Sequence, residues 1–190
     1  MKALRFYDVQ DLRYEDAPDP VIEKPDDVIV KVKAVGICGS DIARYRNLGP
    51  YVPGNVWGHE FCGEVVEVGE GVKNLKPGDR VVGCPNMVCH ECEYCKSGHP
   101  SRCENLNTIG AYVPGAYAEY IKLPEINFVK MADSMSYEQG ALVEPATCDS
   151  WSVSDKYQNG IRSSCCRMWK YRSDGNRMGE SFRSKESICN

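Results

Sequence analysis

A chain of 190 residues with 42% apolar side chains is long enough for one domain with a buried core and a tail. Its net charge of −4 speaks against nucleic-acid and membrane-surface partners, and no apolar run reaches the roughly 20 residues that cross a bilayer. Eleven cysteines would mean disulfides in an exported protein. Acidic residues from Asp8 onward do not read as a signal peptide, so a reducing cytoplasm is the expected location.

Residues 4–7 and 12–14 read as two short strands around an acidic turn. Pro18, Pro20 and Pro25 mark an extended link. The run VIVKVKAV at 28–35 is rich in β-branched residues and predicts a strand. Gly36 and Gly39 bracket a turn that carries Cys38, Ser40 and Asp41, and 41–48 predicts a short helix. A loop with Pro50, Pro53 and Gly54 leads to Gly58-His59-Glu60. Strands follow at 61–68 and 80–83, the second entered through the K-P-G-D turn at 76–79. After a cysteine-rich excursion the chain returns to strand at 115–123, and 136–143 predicts a helix capped by Ser136. Short strands, frequent Gly and Pro turns and few helices predict a mainly β, barrel-like domain.

Two sets of residues carry chemistry. Cys89, Cys92, Cys95 and Cys103 follow a C-x2-C-x2-C-x7-C spacing. Four thiolates around one zinc ion make a closed tetrahedral site with no open position, which is a structural role. An iron–sulfur cluster is the rival. Bacterial cluster motifs end C-x3-C-P, whereas here seven residues precede Cys103 and Glu104 follows it, which favours zinc. His90 and His99 lie in the same lobe and are expected to be solvated. The second set is Cys38, His59, Glu60 and Glu144, far apart in sequence, as suits a metal site built at the ends of several strands. Cys62, Cys84 and Cys148 stand outside both sets and are expected as small core residues.

G-I-C-G-S-D at 36–41, G-H-E at 58–60, V-G-E-G-V-x5-G-D-R-V at 68–81, the four-cysteine lobe and A-L-V-E-P at 141–145 occur in this order. Together they resemble the zinc-dependent medium-chain dehydrogenases, and within them the sorbitol and polyol branch. P-Y-V-P at 50–53 and G-A-Y-A-E-Y at 115–120 are most similar to the galactitol-1-phosphate 5-dehydrogenases. The resemblance covers about residues 1–148. It implies a GroES-like, partly open β-barrel with a zinc-binding lobe, and NAD(P)-linked oxidation of a secondary alcohol of a polyol or sugar-alcohol phosphate. It further implies one catalytic zinc held by Cys38, His59 and Glu144, with Glu60 able to exchange onto the metal. Asp41 resembles the carboxylate that orients the ligand histidine, and Ser40 the hydroxyl that begins a proton relay. Cys89, Cys92, Cys95 and Cys103 match the structural zinc ligands. Members of the family are usually homo-oligomers. Arg44 or Arg46, near the Cys38 turn, is a candidate contact for a substrate phosphate.

The resemblance stops near residue 149. Residues 151–190 carry a net +4 against −8 for residues 1–150, contain eight Ser and no Leu or Ala, and are expected to be a disordered tail. The family's cofactor-binding Rossmann half is missing from the sequence: no G-x-G-x-x-G occurs in 149–190. A reading-frame change in the coding sequence or a low-complexity extension would each explain the jump. Two functional readings therefore stand, an oxidoreductase catalytic domain and a catalytically inactive zinc-binding fragment.

Overall fold

The computed structural model describes residues 1–147. Strands β1 (Lys2–Asp8) and β2 (Asp11–Asp16) form the expected hairpin, with Lys2 opposite Asp16 and Phe6 opposite Leu12. The proline link then feeds β3 (Asp27–Val35). Helix α1 (Gly39–Ala43) begins two residues earlier than the composition of 41–48 predicts, because Cys38 takes the N-cap position and its N–H is satisfied by Asp41. A single π-type turn, Arg44–Leu48, continues α1 and ends at Gly49. The two-residue β4 (Asn55–Val56) pairs with β1 and completes a three-stranded sheet.

The main sheet follows. Its members are β3, β5 (Phe61–Val68) and β6 (Arg80–Gly83), then β9 and β10 once the chain returns from the lobe. In the lobe β7 (Asn86–Met87) pairs with β8 (Asn107–Thr108), and between them lies the one-turn helix α2 (Glu93–Lys96). Strands β9 (Tyr120–Pro124) and β10 (Phe128–Lys130) add to the two edges, giving the order β10-β6-β5-β3-β9 with every pair antiparallel. Helix α3 (Tyr137–Ala141) closes the described chain, and residues 143–147 are again helical.

Strand periodicity places the core. Phe61 and Cys62 are neighbours on β5 and point to opposite faces. Phe61 packs with Val28, Val30, Val65, Val81, Ile109 and Phe128 inside the curl of the sheet. Cys62 packs with Val82, Met131 and Ala141 under α3 on the outer face. The strand expected at 115–123 starts only at Tyr120. Residues 115–119 instead bond in turn to Val56, Trp57, Gly58, Lys2, Leu4 and Val32, so this segment crosses between the two sheets and ties the curl shut. The result is the mainly β, GroES-like half-barrel that the sequence implies. No helix among the described residues is long and apolar enough to cross a membrane. The expectations for the tail and for Cys148 lie outside the described residues.

Candidate metal centres

The sulfur atoms of Cys89, Cys92, Cys95 and Cys103 all lie within 4.8 Å of one another. Cys89 Sγ is 4.0 Å from Cys95 Sγ and 3.5 Å from Cys103 Sγ. A tetrahedron with metal–sulfur arms of 2.3 Å has edges of about 3.8 Å, so the spacing fits one zinc ion. Backbone amides support the sulfurs: Cys89 N–H donates to Cys103 Sγ at 3.3 Å and Cys92 N–H to Cys89 Sγ at 3.4 Å. The Glu91 and Cys92 amides hold the Cys89 thiol down to about 6, and those of Cys95 and Glu104 lower Cys92. Burial and the neighbouring sulfurs push Cys95 the other way, to about 12. Four thiolates this close need a cation to share before all can ionise, and a zinc ion is a cation that would fit. His90 and His99 are exposed, as expected.

The second centre is assembled from separate strand ends. Cys38 caps α1 just after β3, and His59 and Glu60 immediately precede β5. The Gly36 N–H donates to Glu60 O at 2.6 Å and draws the two turns together. A Cβ on Gly36 would stand 2.3 Å from Glu60 Oε2, so a larger residue there would push the Glu60 carboxylate aside. One ligand atom each from Cys38, His59 and Glu60 lies within 4.8 Å of the others. Asp41, buried, accepts the Cys38 N–H at 3.1 Å with Oδ2 and turns Oδ1 toward His59 Nδ1 at 3.8 Å. Of the two ring nitrogens, Nδ1 is therefore the one on the Asp41 side.

The electrostatics of the cluster are strongly coupled. The His59 imidazole beside it holds the Cys38 thiol below its ordinary value against the opposing effect of burial, and the Ser40 hydroxyl and amide lower it further. The same contact raises His59 to about 9, with the charges of Asp41 and Glu144 adding to it. Burial raises Glu144, and the carboxylates of Glu60 and Asp41 add to that. Among the described residues no Lys or Arg pairs with Asp41, Glu60 or Glu144. A sulfur, an imidazole and carboxylates with one histidine as counter-charge are a donor set suited to a borderline-soft divalent cation such as zinc.

Each residue singled out in the sequence has a definite place. Ser40 is exposed and beside the Cys38 sulfur. Glu144 is half-buried in the helical residues after α3, close enough to feel His59 and Glu60, but outside the tight group of three. Cys62 is buried and its thiol bonds Tyr137 O at 2.9 Å. Cys84 is exposed, contrary to the core role expected of it: it follows the end of β6, where the chain leaves the sheet for the lobe. The Arg44 guanidinium lies 3.3 Å over the Tyr51 ring and donates to Gly49 O at 3.0 Å. Tyr117 was not legible as a site residue. Its hydroxyl donates to Asp41 Oδ2 at 2.8 Å, and its ring fills the space over Gly58. It lies in the G-A-Y-A-E-Y stretch that carries part of the resemblance, but that stretch assigns no role to Tyr117 and does not separate it from Tyr120.

Comparison with known proteins gives the family. Residues 24–133 match the family model of the alcohol dehydrogenase GroES-like domain. The chain belongs to the zinc-type, GroES-like alcohol dehydrogenases. It is 40% identical over 150 residues to the sorbitol dehydrogenase of Bacillus subtilis (strain 168), covering 76% of this chain and 42% of that protein. The structure of galactitol-1-phosphate dehydrogenase from Escherichia coli is similar with a TM-score of 0.75 at 35% identity, over 77% of this chain and 42% of that one. A zinc-binding dehydrogenase from Sinorhizobium meliloti 1021 bound to NADP has a TM-score of 0.72 at 37% identity, over 80% and 44%. The chain spans less than half the length of these relatives.

Proposed function

We propose that residues 1–148 are the alcohol-activating domain of a zinc-dependent oxidoreductase that takes a secondary alcohol of a polyol or polyol phosphate, with NAD(P) as hydride acceptor. The observation that carries this is the convergence of Cys38, His59 and Glu60 from separate strand ends, with the exposed Ser40 hydroxyl beside them. When bound, zinc acts as a Lewis acid that would acidify an alcohol as it acidifies water, from 15.7 to about 7. Cys38 and His59 would hold it, with Glu144 or Glu60 completing the set. Asp41, whose Oδ1 stands 3.8 Å from His59 Nδ1, would orient the imidazole as a ligand. Ser40, exposed and beside the Cys38 sulfur, would take the alcohol proton and pass it to solvent. The lobe cysteines would hold a second, structural zinc.

For a phosphorylated substrate a cation must face the anion. Arg44 is occupied by Tyr51 and Gly49. Arg46 is exposed and makes no ion pair among the described residues, so it is the better candidate. The test is cobalt substitution. The Cys38 site should give a visible spectrum that shifts when sorbitol or galactitol 1-phosphate is added, and Cys38→Ala should abolish that shift. An unchanged spectrum at saturating polyol overturns the assignment. The second reading is an inactive zinc-binding fragment. A titration with NAD and NADP separates the two, since only the enzyme reading requires binding.

A further inference from the structure

We propose that Tyr117 is a positioning residue for the metal at Cys38, His59 and Glu60, acting through Asp41. The inference rests on the reading of that cluster as a metal centre and extends it to a residue outside the ligand set.

Asp41 is the hub of the geometry. Its Oδ2 accepts two hydrogen bonds, from the Cys38 N–H at 3.1 Å and from the Tyr117 hydroxyl at 2.8 Å, while Oδ1 faces His59 Nδ1. One carboxylate therefore touches the backbone of one ligand and the ring of another. Its rotation about the Cβ–Cγ bond decides whether Oδ1 meets the imidazole. The Tyr117 bond is the shorter of the two and goes to a charged acceptor, so it is the strong restraint on that rotation. Gly36 O lies 3.1 Å from the same hydroxyl, but a phenol has one proton and the carboxylate is the better acceptor.

Tyr117 is itself held firmly. Its N–H donates to Trp57 O at 2.6 Å and its carbonyl accepts the Leu4 N–H at 2.7 Å. These bonds pin it between the two sheets, in the segment that crosses from one to the other. Its ring lies so close to Gly58 that a Cβ there would meet it at 2.5 Å. The ring thus sets the backbone just before His59, and the hydroxyl sets the carboxylate behind it. The structural and positioning roles are separable, because phenylalanine keeps the ring and loses only the hydroxyl.

The experiment is cobalt and zinc titration of the full chain, in competition with a chelator of known affinity, for wild type, Tyr117→Phe, Asp41→Asn and the double variant. Partners in the layer behind metal ligands typically change affinity 10–100-fold. Tyr117→Phe is expected to weaken the Cys38 site about tenfold, at the low end because it acts at one remove. The four-cysteine site should be unchanged. Asp41→Asn should weaken the same site, because its oxygen stays with Tyr117 and the Cys38 N–H while the NH2 that replaces Oδ1 cannot accept from His59. Adding Tyr117→Phe to it should cause less than about a twofold further loss, since the link to the ring is already cut. Wild-type affinity in Tyr117→Phe, or an equal tenfold loss in the Asp41→Asn background, overturns the proposal. If wild type binds only one ion, the metal-centre reading falls and the proposal with it. Should Tyr117→Phe fail to fold, the wild type supplies a second measurement. The hydroxyl proton of Tyr117 should give a resolved, slowly exchanging downfield NMR signal that moves when the second ion is added, and its absence counts against the proposal.

Discussion

Gly58 sits at the point where the backbone turns into the metal centre. Its φ of +94° lies in the region that disfavours side chains, and the Tyr117 ring leaves no room for a Cβ. Left-handed strain and overpacking each cost about 1–3 kcal/mol, so Gly58→Ala should destabilise the chain by about 3 kcal/mol, read from the urea midpoint. It should also weaken metal binding at the Cys38 site before the four-cysteine site is affected, because His59 is the next residue. Wild-type affinity with a wild-type midpoint would contradict both. At this scale the sequence was informative where a residue type has few other uses. Cys38 and His59 beside glycines pointed to a ligand set, and the two were found together. Tyr117 and the inward turn of Asp41 were not readable from residue type, since tyrosine and aspartate serve many roles. Glu144 came from resemblance, and its half-buried place near His59 follows from where α3 ends.

Elements differ in what holds them. The lobe between β7 and β8 has almost no core: of residues 89–106 only Cys103 is buried. Helix α2 buries no side chain. Its shape is therefore expected to depend on a metal at the four cysteines, since binding energy is folding energy in such sites. Cys89→Ser should release one zinc and leave the lobe open to protease and amide exchange, while β3 and β5 stay protected. A lobe that keeps its protection without metal would contradict this. The turn before β6 is held differently. Glu125 accepts the N–H groups of Asn74 at 2.6 Å, Leu75 at 3.0 Å and Lys73 at 3.2 Å. Burial alone would raise this carboxyl, but the three amides lower it below its ordinary value of 4.5. The stabilisation is therefore present above the unfolded-state value and is lost as pH falls through the depressed folded one. Glu125→Gln should cost about 1 kcal/mol near neutral pH, small because the group is part-exposed. The difference from wild type should shrink as pH drops below about 4. Urea midpoints at neutral pH and at pH 3 check it, and a constant difference would refute it. The strands β3, β5 and β6 and the Ser136 cap, which accepts Gln139 N–H at 3.2 Å, stood close to where pattern and propensity put them. Residues 115–119 did not, because their partners are in three separate segments and local pattern carries no record of that.

For the molecule as a whole the question is whether 190 residues suffice for turnover. In the proposed function the alcohol side of the reaction would draw on described residues: the grouped Cys38, His59 and Glu60 with Glu144 near them as donors, Ser40 as a proton carrier, and Asp41 and Tyr117 behind them. The hydride acceptor needs a different kind of site. Dinucleotides are held where a glycine-rich turn meets a helix N-terminus, with the pyrophosphate on the exposed amides. The sequence of residues 149–190 carries no such turn, and relatives of this chain are more than twice the length it covers. Holding two reactants in register is worth about 7–11 kcal/mol of barrier, and zinc donors on one side cannot replace it. A polypeptide of these 190 residues, loaded with zinc, is therefore expected to produce no reduced nicotinamide from sorbitol or galactitol 1-phosphate with NAD or NADP. Metal binding at the Cys38 site should persist all the same, because its donors come from the barrel and from residues up to Glu144. Absorbance of the reduced cofactor over hours, beside a zinc count, is the measurement. Steady turnover by the homogeneous chain would mean that residues after 148 contribute a cofactor site of another design.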